Sequence, residues 1–325
     1  MTQPETWNPE PDTLISRMKQ KNKISVTVIT GFLGSGKTTF INFILKKYPE
    51  IQFALVENEF GDVAIDSHLI KGVDASRLFE LKQGCICCTI TNEYELVLQE
   101  LAERFPHVQH LLIETTGIAD PAGVIRPFFR EERLKELYSF NGTICMVDAL
   151  NFQNLPEKEI SLKQFAVADK LVVTKSEKIQ PEERENIKVW IAEVNPLAQL
   201  HFTADGRADD FDLFAIRRQT RIFPDPGTAH LHSAIQTKTL IFNTPLNREE
   251  FNRRLAYNLD VYKKEIYRAK GILCFENEPF EFILQGVGGN FEIYEGENLV
   301  TENRSTLVFI GKLENLPLRF FNQEQ

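Results

Sequence analysis

Lys37 and Thr38 end the loop of the run Gly31-Phe-Leu-Gly34-Ser35-Gly36-Lys37-Thr38-Thr39. The spacing fits G-x-x-x-x-G-K-[ST], the phosphate-binding pattern. Such a loop turns successive backbone N–H groups inward around an anion. Gly31 and Gly36 permit the tight turn, and Gly34, Ser35 and Thr39 complete the cradle. Lys37 would reach the β- and γ-phosphates, and the Thr38 hydroxyl would ligate Mg²⁺. A glycine turn with a chance lysine is the bland alternative. The context argues against it. A β-branched strand, Ile24–Thr30, runs into the loop, and an amphipathic helix from about Thr38 to Tyr48 follows, its positive end at the loop. The chemistry implied is nucleoside triphosphate binding.

Three other constellations could act. Glu114-Thr-Thr-Gly117 ends a hydrophobic strand. An acid there can hold Mg²⁺ through water, and the Gly117 N–H can approach a γ-phosphate. Alone, it would read as a solvated strand-end glutamate. Thr174-Lys175-Ser176-Glu177 follows another apolar strand, where GTPases carry N-K-x-D. The carboxylate would accept from the paired N–H donors of guanine, and the lysine stem would lie along the base. The same four residues also fit a charged surface loop. Gly84-Cys85-Ile86-Cys87-Cys88 packs three thiols into four residues, a soft-metal ligand set for Zn²⁺ or another divalent transition metal. A tetrahedral ion needs a fourth ligand, from Glu57, Asp62, a histidine or water. Core cysteines and a redox switch are the competing readings. Cys145 and Cys274 lie in apolar strands and read as core. His230 and His232 read as solvated.

The elements needed to position these residues follow from the pattern. Apolar runs at 51–57, 76–81, 111–114, 142–147 and 170–174 read as strands. Asn92 to Phe105 has helical spacing with Asn92 as its N-cap, and Pro181 to Val194 is a helix with proline in its first turn. Strands alternating with helices predict an α/β fold with a doubly wound, mostly parallel sheet. Ligands then gather at the carboxyl ends of the strands. Beyond a proline- and glycine-rich piece near Ile222, the chain reads as strand 235–242, helix 246–259 and strands near 269–275, 280–284, 291–294 and 307–310, a smaller α+β domain. Gly286, Gly288 and Gly289 read as a turn between strands. The expected organisation is a loose extension at 1–22, a P-loop domain at 23–221, a linker at 222–234 and the second domain at 235–325.

The 325 residues carry a net charge of −9, which argues against a nucleic-acid or anionic-membrane partner. No apolar run is long enough for a transmembrane helix. Five cysteines, three of them clustered, do not form a secreted disulfide framework. A cytoplasmic setting is expected.

Together the motifs resemble the CobW-type GTPases, metallochaperones related to the nickel-insertion GTPases of hydrogenase and urease. The matching pieces are Thr30 to Thr39, Glu57-Asn-Glu-Phe-Gly-Asp62, Gly84 to Cys88, Glu114-Thr-Thr-Gly-Ile-Ala-Asp-Pro121 and Val147-Asp148-Ala149. Arg268-Ala-Lys-Gly271 and Gln285-Gly-Val-Gly288 look like that family's second domain. The resemblance implies GTP and Mg²⁺ at Gly34 to Thr39 with Glu114 as the strand-end acid. It implies a divalent metal, usually Zn²⁺, on Cys85, Cys87 and Cys88, and a switch loop at Glu57 to Asp62. Thr174 to Glu177 resembles the family's T-K-x-D variant, with Glu in the last place. The reading is a slow GTPase that couples nucleotide state to metal transfer to a client metalloprotein. An ATP-dependent kinase or ligase on the same loop is one alternative. A zinc-buffering or redox-sensing protein with a vestigial nucleotide site is the other.

Overall fold

The computed structural model describes residues 23–58, 78–80, 91–154, 157–203, 207–208, 210–216, 223, 235–314 and 316. The first part alternates strand and helix: β1 (Ile24–Thr30), α1 (Lys37–Lys47), β2 (Phe53–Asn58), β3 (Leu78–Glu80), α2 (Thr91–Arg104), β4 (His110–Thr115), α3 (Ala122–Arg130), α4 (Glu132–Leu137), β5 (Tyr138–Asp148), α5 (Lys158–Val167), β6 (Lys170–Thr174), α6 (Pro181–Val194) and β7 (Gln199–Phe202). The sheet order is β3-β2-β4-β1-β5-β6-β7, and every pair is parallel.

The central strands are apolar throughout because both faces are covered. Val26, Val28, Leu111, Ile113, Cys145, Val147, Leu171 and Val173 enter one core with α2 to α6. Their neighbours Ile29, Leu112, Ile144, Met146 and Val172 enter the other, with Phe40, Ile41 and Ile44 of α1 and with Phe211 and Leu213. Alternation at period two thus survives inside a continuous apolar run.

The second part forms β8 (Gln236–Phe242), α7 (Arg248–Val261), β9 (Ile266–Leu273), β10 (Phe280–Val287), β11 (Asn290–Leu299) and β12 (Ser305–Gly311). Its sheet is antiparallel, in the order β11-β10-β9-β12-β8. One face packs on α7 through Phe251, Leu255 and Leu259. The other contributes Tyr267, Val287, Val308 and Ile310 to the core shared with α3 and α5. α3 and α5 therefore lie between two sheets.

Some expectations shift. Asn92 lies inside α2, which begins at Thr91, so it is not the cap. β5 starts earlier than Gly142, because Tyr138 and Phe140 extend the buried strand. α3, α4, α5 and β7 join the predicted elements. Gly286 lies in β10, and only Gly288 and Gly289 make the turn. Cys145 and Cys274 are buried. The extension at 1–22 lies outside the described residues, as does the linker apart from Phe223. No described helix is long and apolar enough to cross a membrane.

One ion cluster joins the two parts. Asp169, between α5 and β6, accepts from Arg268 Nη2 at 2.6 Å and from Lys270, both on β9. Its second oxygen accepts from the Thr143 N–H at 2.8 Å. All three charged side chains are 1–3% exposed. Burial alone would raise the Asp169 carboxyl, but Arg268 and Lys270 hold it below its ordinary value. Burial pushes the Lys270 ammonium down to about 8, against the pull of Asp169. Replacing Asp169 by Ala leaves two buried cations uncompensated and should cost roughly 3–5 kcal/mol. Urea unfolding at neutral pH measures this; a loss below about 1 kcal/mol, the scale of an exposed pair, would show that the cluster does not seat the second sheet.

Candidate functional site

Parallel pairing fixes the lateral register of the strand ends. Ile29 lies opposite Glu114, Thr30 opposite Cys145, Glu57 opposite Glu114, and Asp148 opposite Thr174. The loops after β1, β4, β5 and β6 therefore leave from one edge of the sheet.

Gly31 leaves β1 at φ 132°, a value that L side chains rarely adopt. A Cβ there would lie 2.3 Å from the Met146 carbonyl oxygen. The loop bends through Gly34 and Ser35, where the Ser35 N–H donates to the Phe32 carbonyl at 3.2 Å. Gly36 is the N-cap of α1, and Lys37 is its first residue. The Lys37 side chain folds back over the loop, donating to Gly31 O at 2.9 Å and Phe32 O at 3.3 Å. Burial lowers its pKa, and the charge of Glu114 pulls it back up. Thr38 is half-buried at the start of α1, and Thr39 is exposed.

The segment after Glu114 runs against this loop. A Cβ on Gly117 would come within 2.4 Å of the Leu33 nitrogen, so only glycine allows the approach. Thr115 Oγ1 donates to Thr30 Oγ1 at 2.9 Å, joining the two strand ends. The Ser35 and Thr116 hydroxyls are buried with no partner among the described residues. Buried polar groups ordinarily find partners. A tight glycine loop at a helix N-terminus, a buried ammonium and orphaned hydroxyls are the surroundings a triphosphate would satisfy.

The β6 end is tied to the same loop. Thr174 Oγ1 lies 2.9 Å from Ser35 O and 3.2 Å from Val147 O, its single hydrogen shared between the two carbonyls. Lys175 adopts a left-handed φ of 56°, which costs a non-glycine residue roughly 1 kcal/mol or more. Its ammonium is held by Asp148 Oδ2 at 2.6 Å. Asp148 also accepts from the Leu150 N–H at 3.0 Å and the Asn151 amide at 2.8 Å. Glu177 is exposed in the 3₁₀ turn Ser176–Lys178. Ser176 Oγ donates to Thr203 O at 2.9 Å, fastening that turn to the end of β7.

The structure thus brings together Gly31 to Thr39, Glu114, Gly117, Thr174, Lys175 and Glu177. Asp148 as the anchor of Lys175 was missed, although a strand-end acid one strand over from a lysine was its signal. Asp62, Cys85, Cys87 and Cys88 lie outside the described residues, and Glu57 is described only by its place in β2. Among the described residues, no three His, Cys, Asp or Glu side chains are grouped to hold a metal.

The sequence signature of the CobW/HypB/UreG nucleotide-binding domain matches residues 25–202. That of the cobalamin synthesis protein cobW C-terminal domain matches residues 235–319. The zinc chaperone YjiA of Escherichia coli is 31% identical over 303 residues, covering 89% of this chain and 94% of its own length. Zinc-regulated GTPase metalloprotein activator 1 of Saccharomyces cerevisiae is 25% identical over 348 residues, covering 90% and 81% respectively. A crystal structure of Zn(II)-bound YjiA GTPase from E. coli aligns with a TM-score of 0.65 at 29% identity, over 91% of this chain and 96% of that one.

Glu177→Ala should weaken GTP binding and erase its preference over ATP, while the phosphate contacts keep both nucleotides bound. A site that leaves polar groups unpaired against the wrong base discriminates by about 10⁴. Displacement of a fluorescent nucleotide by GTP and by ATP checks this. Equal displacement from the unaltered protein would refute guanine recognition.

Proposed function

The chain belongs to the CobW/HypB/UreG family, and on that premise we propose that it couples GTP hydrolysis to the handling of zinc for a client metalloprotein. It is a P-loop GTPase of that family. The observation that carries the reading is the Gly31–Lys37 cradle, with Lys37 held on loop carbonyls beside Glu114. A bound triphosphate would take the Lys37 ammonium from Gly31 O and Phe32 O, exchanging neutral acceptors for charged ones. The N–H groups of the loop and of Gly117 would then face the β- and γ-phosphates, fixed before charge develops there. The oxygen donors of Thr38 and Glu114 suit Mg²⁺. When bound, it would neutralise charge on the β- and γ-oxygens.

Thr174, Lys175 and Glu177 would read the base. Thr174 takes the place of the usual asparagine and makes its staple to the phosphate loop. Glu177 would offer paired acceptors to guanine. Zinc would be the cargo, held as a thiolate complex by Cys85, Cys87 and Cys88, with Glu57 or Asp62 as a further ligand. The names of the relatives, zinc chaperone and zinc-regulated GTPase, support zinc as the ion. A cytoplasmic setting suits reduced thiols. The division into 23–221 and 235–325 belongs to the same proposal.

Lys37→Ala should abolish hydrolysis and weaken GTP more than GDP, because the γ-phosphate loses its fixed cation. Cys87→Ser should lower bound zinc while leaving GTP affinity nearly intact. Phosphate release, equilibrium dialysis and metal analysis of the purified variants check both. Wild-type turnover in the lysine variant would overturn the nucleotide assignment. Undiminished zinc in the cysteine variant would overturn the metal assignment.

A further inference from the structure

Helix α5 is held at both ends and gripped in the middle. Its C-terminal turn is capped by Asn195, whose amide donates to Phe165 O at 2.7 Å and to Ala168 O at 2.9 Å. The next residue is Asp169, which bears the buried Arg268 and Lys270 of β9. Near its N-terminus, Glu159 pairs with Lys312 just beyond β12 at 2.9 Å. Lys163 sits 5.6 Å over the ring of Tyr267 on β9. The exposed pair contributes little. Leu162 and Phe165 share one close-packed apolar core with Tyr267, Val308 and Ile310, so a shift of the helix is resisted by, or passed to, the second sheet.

Between these anchors lies Gln164, fully buried. Its amide nitrogen donates to Gly117 O at 3.1 Å and to Ala119 O at 3.2 Å. Its Oε1 finds no partner among the described residues. The two carbonyls belong to the segment that follows Glu114 and touches the phosphate loop at Leu33. Lys163 reaches the same segment, 3.7 Å from Asp120. A buried polar side chain in a packed helix is costly unless bonded. Gln164 satisfies only its donor side, and both donated bonds go to this segment.

We propose that Gln164 is the positioning residue of the Gly117–Ala119 segment, setting where the Gly117 N–H meets the γ-phosphate, and that α5 passes that position to the second sheet. The proposal rests on the GTPase reading. Any shift of Gly117 toward a phosphate stretches the bonds to Gln164 or draws α5 with it. Because Asp169 follows directly on the Ala168 cap of α5, a pivot of the helix would bear on β9. The nucleotide and the second sheet then share one mechanical element, a physical route for coupling between the two.

Gln164→Met tests this, since it keeps the volume and removes both the donor and the orphaned acceptor. Losing two hydrogen bonds and an unsatisfied oxygen act in opposite directions on stability, so the variant should fold. The expected result is a kcat lowered about ten- to a hundredfold with KM changed less than about threefold. GDP affinity should stay unchanged, and the preference for a non-hydrolysable GTP analogue over GDP should shrink. Wild-type kcat with an unaltered preference would overturn the proposal, and so would parallel loss of GDP affinity and thermal stability, the mark of a merely structural residue. If the unaltered protein itself hydrolyses no GTP, the functional reading is overturned and this proposal with it, whereas normal turnover in both proteins overturns this proposal alone. Hydrogen exchange of the unaltered protein is independent of folding in the variant. The GTP analogue should change protection in 117–120, in α5 and in β9 relative to GDP, and a change confined to 117–120 would overturn the relay.

Discussion

The hydrogen bonding of β1 to two parallel neighbours decides where chemistry can occur. A parallel register cannot slip by one residue without turning every side chain to the opposite face. Here one face would lose Val26 and Val28, and the other Ile29, to the wrong core. With that register locked, Thr30 stands beside Cys145 and Ile29 beside Glu114. The phosphate loop, the strand-end acid and the Lys175 turn then converge without any residue being placed individually. The Thr115–Thr30 and Thr174–Ser35 hydrogen bonds refine the arrangement at the edge. Gly31 is the point of least tolerance, because the β1 exit passes against the Met146 backbone.

The second sheet is held differently. Its attachment combines apolar packing across α3 and α5 with a buried carboxylate between two cations. A buried cluster of this kind gains less free energy than an apolar one would, but it accepts few alternative geometries. Arg268 and Lys270 come from the Arg268–Gly271 piece, which thereby acquires a role in the junction. The Gly288–Gly289 turn also lies at this boundary, against Ala122, Arg126 and Lys263.

The legible parts were local. The phosphate loop declares itself because glycine, lysine and hydroxyl occupy fixed offsets in one short run. The strands declare themselves as apolar runs ending in an acid or a glycine. What escaped depends on distant partners. α5 shows little helical stripe because two sheets cover it, burying Ser161 and Gln164 along with Leu162 and Phe165. α3 carries Pro127 in its interior, which reads as a break. Asp169 and Arg268 are 99 residues apart, so nothing near either announces the pair. Asn92 failed as a cap because cap preference is a weak guide to a boundary within one residue.

In the sequence, the cysteines follow β3 and the Glu57–Asp62 segment runs on from β2, adjacent parallel strands at one side of the sheet. Both strands end at the carboxyl edge that carries the phosphate loop. On the proposed reading, this shared edge would be the physical basis for linking nucleotide state to metal. The most direct measurement is Zn²⁺ affinity, titrated against a chelator-buffered indicator in GTP·Mg²⁺, in GDP and without nucleotide. Zinc should bind tighter with GTP than with GDP by about 5- to 150-fold, and zinc should tighten GTP by the same factor. Equal zinc affinity in all three conditions would contradict the coupling, even if the protein still bound zinc and hydrolysed GTP.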